Sequence, residues 1–150
     1  MKKFSFSLQK ILEIKQQILD NFKYELSNLN HQLISLDMDI KNLNNKYISM
    51  DEEFNKKSSV CITVGEITYY KMLMGSILKK VENKQEDKKI ISKKILEKRI
   101  EIISVNKEIS SLEKLRDKEL EKYNALVTKN EEIFIEEFIS SKSIQQQFVF

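Results

Sequence analysis

The sequence contains no proline, no tryptophan and only two glycines, Gly65 and Gly75, among its 150 residues. Proline and glycine most often reverse the direction of a chain, so their scarcity predicts few turns and long uninterrupted elements. One third of the residues are charged. Turn-poor, charge-rich chains of this kind are typical of coiled coils and extended helices, so the composition argues against a compact globular domain.

Residues that carry catalytic or metal-binding chemistry are also scarce. The single cysteine, Cys61, excludes an internal disulfide and indicates a reducing compartment. The single histidine, His31, falls on the solvent side of the repeat described below, and no glycine-rich phosphate loop or nucleophile–base pair is present. We therefore expect a protein that is not an enzyme and that binds no metal and no cofactor.

The chain also lacks long apolar runs and any excess of one charge. It contains no stretch of 18 apolar residues that could span a bilayer, and polar residues from Gln9 to Lys15 interrupt the segment in which a signal peptide would be apolar. The 26 cations and 23 anions are interspersed, whereas nucleic-acid binding requires cations clustered on one face. We expect a cytoplasmic protein that neither spans a membrane nor binds nucleic acid.

What the sequence does contain is a regular apolar repeat from Leu8 to Phe54. Fourteen positions alternate in steps of four and three, and thirteen of them are apolar, with Lys15 as the exception. A strict heptad of this length predicts a helix that supercoils with a partner. Residues 55–66 interrupt the repeat with serines, β-branched residues and glycine. We therefore predict helix 1 over about residues 5–55 and a turn over about 56–66.

The repeat resumes at Ile67, weakens over residues 82–89 and continues to Leu112. This pattern predicts a second helix over about residues 67–139, followed by a tail over 140–150. Its nearest partner is helix 1, so the expected fold is all-α, a long antiparallel two-helix coiled coil in one domain. Facing residues would have numbers that sum to about 117, such as Met50 with Ile67, although a register one heptad away is also compatible.

The second helix is the longer one, so we expect residues 113–139 to overhang the coil. Their apolar stripe needs a partner in water, and it comprises Leu115, Leu120, Tyr123, Leu126 or Val127, Phe134 and Phe138. Phe4 and Phe6 lie at the same end, where they can cover Leu112 and Leu115. They either present a shared apolar surface to a partner or only cap the open end of the coil.

A second apolar face lies early in helix 2, on the side turned away from the repeat. It comprises Tyr69, Met72, Leu73 and Ser76. Methionine and exposed aromatic residues suit adaptable binding surfaces, so this face is a candidate docking patch. The alternative is that loop residues 60–64 fold back and cover it.

Three segments carry a pattern that is known from one protein family. They are Phe4-x-Phe6-x-Leu8-x-Lys10-x-Leu12-x-Ile14-Lys15, then SLEKLRDKELEKY at residues 111–123, and EEIFIEEFI at 131–139. In their order and spacing they resemble the flagellar export protein FliJ family, over residues 2 to about 139. The sequence departs from the family at Ile133 and Phe134, where polar residues are usual.

This resemblance implies a non-enzymatic coiled-coil stalk of the flagellar type III export apparatus. The implied partners are the hexameric export ATPase, the cytoplasmic domain of the membrane export gate, and export chaperones. Such a stalk promotes ring assembly, couples ATP hydrolysis to protein export and thereby serves motility and chemotaxis. It would lie in the cytoplasm, peripheral to the inner face of the cell membrane. The alternatives are an injectisome type III secretion stalk and a general coiled-coil scaffold or chaperone.

The resemblance also assigns residues to two of these partners. Those expected to bind the ATPase are Phe4, Phe6, Leu8, Leu115, Arg116, Tyr123 and Leu126. Those expected to bind the gate are Tyr69, Met72, Leu73, Ser76 and Lys80. Within the second set, Tyr69, Leu73, Ser76 and Lys80 have the four, three and four spacing of the family's gate-binding surface.

Overall fold

The computed structural model describes residues 2–147, which form two α-helices joined by a three-residue connection. Helix α1 spans Gln9–Val60 and helix α2 spans Val64–Gln147. The described residues contain no strand. The fold is an all-α helical hairpin, which confirms the fold class predicted from the sequence.

Helix α1 has about the predicted length but begins later, at Gln9 instead of near residue 5, whereas α2 is longer and the connection shorter than predicted. Helix α1 continues to Val60 instead of ending near residue 55, and α2 begins at Val64 and continues to Gln147 instead of ending near 139. Residues 140–147 of the expected tail are therefore helical, and residues 148–150 lie outside the described part of the chain. The serine pair does not break α1, because the Ser59 hydroxyl donates a hydrogen bond back to the Lys56 carbonyl at 2.7 Å.

An N-cap at Thr63 explains why α2 starts earlier than predicted. The Thr63 hydroxyl accepts a hydrogen bond from the backbone N–H of Glu66 at 3.3 Å. Threonine followed three residues later by glutamate is a helix-start signal, because the side-chain oxygen satisfies an amide that has no partner inside the helix. The glutamate also places a negative charge in the first turn, which favours the positive end of the helix dipole. Gly65 therefore lies inside the helix and not in the turn.

The apolar repeat forms the buried seam of the hairpin. All fourteen repeat positions from Leu8 to Phe54 are buried or half-buried, and Leu12 has no exposed surface. The buried residues of α2 are Tyr70, Met74, Ile77, Val81, Ile95, Val105 and Ile109. His31 is exposed, as its position in the heptad predicts. Full burial of one such side chain stabilises the folded state by roughly 1.5–3 kcal/mol, so the seam is the main source of stability.

Contacts divide the chain into two units, Asp20–Ile103 and Met1–Leu19 with Ser104–Phe150. In the first unit, the ring centroids of Phe54 and Tyr70 are 5.7 Å apart. The ammonium group of Lys88 lies 2.7 Å from the Asp37 carboxylate. The numbers of these facing residues sum to about 124. The register is thus one heptad away from the sum of 117, as the sequence allowed.

Three lysines occupy seam positions of this unit, namely Lys84, Lys88 and Lys98, and each reaches sideways to an acid on α1. The Lys98 ammonium lies 2.6 Å from Glu25 and 2.8 Å from Glu101 on its own helix. Hydrogen bonds to Glu101 and Glu25 raise the pKa of Lys98 above its ordinary value, so the lysine stays charged. Its stem crosses the Phe22 ring, with the nitrogen 4.3 Å from the ring centroid. Charged residues at seam positions cost stability and specify register.

The second unit joins the N-terminal residues to the later part of α2. Phe6 and Leu12 are buried in it, and Lys15 pairs with Glu108 at 2.7 Å. Residues 128–147 are exposed throughout, so the uncovered part of α2 begins near residue 128 instead of 113. It begins later because the register is shifted and because residues 2–8, which precede α1, also lie against α2.

The observed register predicts which cysteine pair forms a disulfide. In a background with Cys61→Ser, we expect Leu12→Cys with Leu112→Cys to oxidise within one chain, because these positions face each other. The control pair, Leu12→Cys with Val105→Cys, is displaced by one heptad, or about 10 Å along the helix, and should not oxidise. Non-reducing electrophoresis and mass spectrometry distinguish the two results. Disulfides that form only between chains would contradict the intramolecular hairpin.

Candidate partner-binding surfaces

The N-terminal residues are fastened to α2 by an aromatic and hydrogen-bonded contact, here called the terminal clamp and comprising Lys2, Phe4 and Tyr123. The Phe4 and Tyr123 rings lie with their centroids 5.6 Å apart and their planes tilted by 54°. The Tyr123 hydroxyl donates a hydrogen bond to the Lys2 carbonyl oxygen at 2.7 Å. Chain ends usually fray unless they are tied down, and these two contacts hold this one in place.

The clamp borders a shallow groove lined by apolar side chains, three lysines and one carboxylate, Glu119. Phe4, Tyr123 and Leu126 line the groove, together with Lys2 and Lys122. Leu126 is 54% exposed and Phe4 is half-buried, so both present apolar surface to the outside. Such a surface suits a partner that offers apolar side chains next to carboxylates.

The other residues expected to bind the ATPase divide between the packed interior and the surface. Phe6 is only 8% exposed and packs inward, so it anchors the segment and leaves contact with a partner to its neighbours. Leu8 and Arg116 are half-buried, whereas Leu115 is 41% exposed. The ring that Phe4 meets on α2 is that of Tyr123, about two helical turns beyond Leu115.

The sequence left open whether Leu126 or Val127 continues the apolar stripe of α2, and the structure distinguishes them. Val127 is half-buried and lines a surface concavity with Phe134, whereas Leu126 turns toward the N-terminal segment. Because Leu126 and Val127 are adjacent and both apolar, the sequence pattern cannot show which of them continues the stripe. The position of residues 2–5 against α2 distinguishes them.

The second candidate surface, here called the tip face, lies on the first turns of α2. Tyr69 and Met72 are 56% and 64% exposed, Ser76 and Lys80 are exposed, and Leu73 is half-buried. The connection does not cover them, because Val60 and Val64 are themselves 88% and 80% exposed. The five residues expected from the sequence therefore share one accessible face, with Leu73 at its inner edge.

An aromatic cluster that the sequence did not indicate supports the tip face from below. Tyr70 is buried, and its ring meets the Phe54 ring of α1 and the edge of Tyr69. Two lysines close the cluster, with the Lys57 nitrogen 5.4 Å from the Tyr70 centroid and the Lys71 nitrogen 5.0 Å from that of Phe54. Hydrogen bonding to Tyr70 raises the pKa of Lys57 above its ordinary value. The cluster fixes the base from which Tyr69 projects.

Neither surface has the side chains of a metal centre. Within residues 2–147, no group of three or more histidine, cysteine, aspartate or glutamate side chains is placed to hold a metal ion. The helices of this described range include none that is both long enough and apolar enough to cross a membrane. The two surfaces offer apolar and charged contact area, which suits protein partners.

Comparison with known proteins supports one family for this arrangement. The family model described as Flagellar FliJ protein matches residues 4–147, which include both helices and both candidate surfaces. No match was found among curated proteins or among solved structures. Because the match covers nearly the whole chain, the protein belongs to the flagellar FliJ protein family, whose members are components of the flagellar export apparatus.

Proposed function

We propose that this protein is the coiled-coil stalk that connects the hexameric flagellar export ATPase to the cytoplasmic domain of the membrane export gate. The terminal clamp is the observation that carries the proposal. It holds Phe4 and Tyr123 in one fixed surface beside the exposed Leu126. A surface that is ordered without a ligand loses little conformational entropy when a partner binds, which favours binding at this end.

In this proposal, the ATPase ring binds the end of the hairpin at which the N-terminal segment lies against α2. Phe4, Leu115 and Leu126 would contact the ring directly, because their side chains are accessible. Phe6, Leu8, Arg116 and Tyr123 would act from the packed layer beneath by keeping the N-terminal segment on α2. The lysines that line the groove would meet acidic groups of the ATPase.

The mechanism follows from a mismatch of symmetry. A single hairpin inside a ring of six equivalent subunits contacts each of them differently. It therefore favours different nucleotide states in different subunits, as a coupling between binding equilibria. A ligand that binds the assembled ring better than free subunits also shifts the equilibrium toward assembly. The hairpin itself performs no chemistry, in keeping with a family of non-enzymatic stalk proteins.

The tip face is the proposed contact with the export gate. Tyr69 and Met72 supply exposed apolar area, and Ser76 with Lys80 supplies polar contacts along the same face. Gate binding would bring the protein to the inner face of the cell membrane without a spanning segment. Export chaperones are further partners in this proposal. The family match favours the flagellar apparatus over the injectisome stalk and over a general scaffold.

We expect Tyr69→Ala combined with Met72→Ala to weaken binding to the isolated cytoplasmic domain of the gate by at least about tenfold. Two exposed anchors of this kind contribute about 1.4 kcal/mol or more when a partner desolvates them. Helicity and binding to the ATPase should not change, because neither side chain belongs to the seam. Isothermal titration calorimetry with the purified gate domain measures the effect.

The matched control is Tyr24→Ala combined with Met38→Ala, which removes the same residue types from exposed positions of α1. This variant should bind the gate domain as the unchanged protein does. Equal loss of affinity in both variants, or a large fall in thermal stability of the Tyr69 variant, would show that the tip face is not the gate contact.

A further inference from the structure

A stripe of exposed residues on α2, here called the basic face, has no role in the proposed function. It consists of Lys89, Lys93, Leu96, Ile100 and Ile103, which follow one another at intervals of four, three, four and three residues. This spacing places them on one side of the helix. The three apolar members are 60%, 67% and 55% exposed. Neither lysine forms an ion pair within the described residues.

The charge around this stripe is strongly of one sign. Residues 88–99 contain six cations and one anion, Glu97. Lys88 and Lys98 are already paired with acids, so four of the six cations form no ion pair within the described residues. An exposed apolar stripe with a positive border is complementary to an amphipathic helix that carries carboxylates beside its own apolar residues.

The end of α2 has these properties. Residues 131–139 contain four glutamates and no cation, and the next cation along the chain, Lys142, lies with its nitrogen 5.0 Å from the Phe138 ring centroid. On one side of this segment lie Val127, Glu131, Phe134 and Phe138, again at intervals of four, three and four. Phe134 and Phe138 are 68% and 53% exposed, and residues 128–147 are exposed throughout. We call Glu131, Phe134 and Phe138 the acidic face.

We propose that the acidic face of one copy of this protein docks on the basic face of a second copy. In a parallel pairing of the two helix segments, the matching intervals place Glu131 against Lys93, Phe134 against Leu96, and Phe138 against Ile100. The contact combines two layers of apolar side chains with one opposite-charge pair at its border.

Charge complementarity favours a contact between an acidic face and a basic face over contacts between two acidic faces or two basic faces. Two acidic faces placed together would bring at least two unneutralised glutamates into contact, and two basic faces would do the same with lysines. A contact of this length buries less area than the roughly 1,200 Å² of a standard stable interface, so association should be weak and concentration-dependent. Because the two faces differ, the association is head-to-tail, and it either closes as a dimer or extends further.

Charge reversal tests the proposal on the full chain with reductant present, so that the exposed Cys61 cannot form disulfides. One variant carries Lys93→Glu and the other carries Glu131→Lys, the two residues of the proposed opposite-charge pair. Sedimentation equilibrium over a range of concentrations should show weak association of the unchanged protein. Each variant alone should associate at least about tenfold more weakly, and an equimolar mixture of the two should recover the lost affinity.

A control with Lys41→Glu makes the same change of net charge as Lys93→Glu at an exposed position of α1 and should associate like the unchanged protein. A protein that remains monomeric at every concentration would overturn the proposal. So would a mixture that does not recover association. If Glu131→Lys weakened association but Lys93→Glu did not, the acidic face would bind a surface other than the basic face, and the proposed pairing would be overturned.

Discussion

Replacing Ile77 with aspartate is expected to lower the free energy of unfolding by about 3–5 kcal/mol. Ile77 is 5% exposed and lies in the seam between α1 and α2. The aspartate would lose the apolar contacts of the isoleucine and would place a carboxylate in an apolar seam, where the loss of its hydration is costly. Urea unfolding followed by circular dichroism at 222 nm measures the change.

The neighbouring residue provides the control. Leu78 is 50% exposed, and Leu78→Asp should change the free energy of unfolding by less than about 1 kcal/mol. His31→Ala should have no measurable effect, because the imidazole is exposed. If Leu78→Asp were the more damaging substitution, the seam would not run through Ile77, and the assigned heptad frame would be wrong.

Deleting residues 116–150 is expected to abolish stimulation of the export ATPase. The deletion removes Tyr123, which holds the N-terminal segment through its ring and its hydroxyl, and it removes the exposed Leu126. Without them, Phe4 has no partner on α2, and the proposed ring-binding surface is lost. The measurement is the rate of ATP hydrolysis against the concentration of this protein, with electron microscopy to count assembled rings.

A shorter deletion, of residues 128–150, separates the two proposals about this end of the chain. It leaves the terminal clamp and Leu126 in place, so stimulation of the ATPase should persist. It removes the acidic face, so association between copies should disappear. If the full chain and both truncated forms stimulated hydrolysis equally, the termini would not be the ring-binding end, and the stalk function would have to be abandoned.

The repeat predicted the seam residue by residue, because burial of a heptad stripe depends only on the spacing of apolar residues. It did not predict the register, because each heptad of a regular stripe presents nearly the same apolar surface as the next. The charged residues at and beside the seam distinguish the possible registers. Lys84 lies beside Asp39 in the observed register, but it would lie beside Gln32 one heptad lower and beside Lys46 one heptad higher. Lys98 would likewise exchange its glutamate for isoleucine or glutamine.

The sequence predicted the tip face more completely than the terminal clamp, because helical spacing gives contacts within one helix but not between distant parts of the chain. The tip face lies on one helix, so counting along α2 was enough to bring Tyr69, Met72 and Ser76 to one side. The terminal clamp joins residues that are 121 positions apart, and it depends on an extended segment that has no periodicity. The N-terminal sequence pattern identified Phe4, and the apolar stripe of α2 identified Tyr123, but neither could show that the two residues are in contact.

The lysines of the seam also have a consequence for how the hairpin folds. Contacts near the connection form first, because they close the shortest loops, and pairing then extends outward. A chain that starts in the observed register reaches Lys84 and gains the contact with Asp39. A chain that starts one heptad away reaches the same lysine and finds an amide or a second lysine. In such a chain, pairing is not stabilised beyond Lys84, so the two helices should separate again. The ion pairs therefore select the correct register during folding, before the whole hairpin has formed.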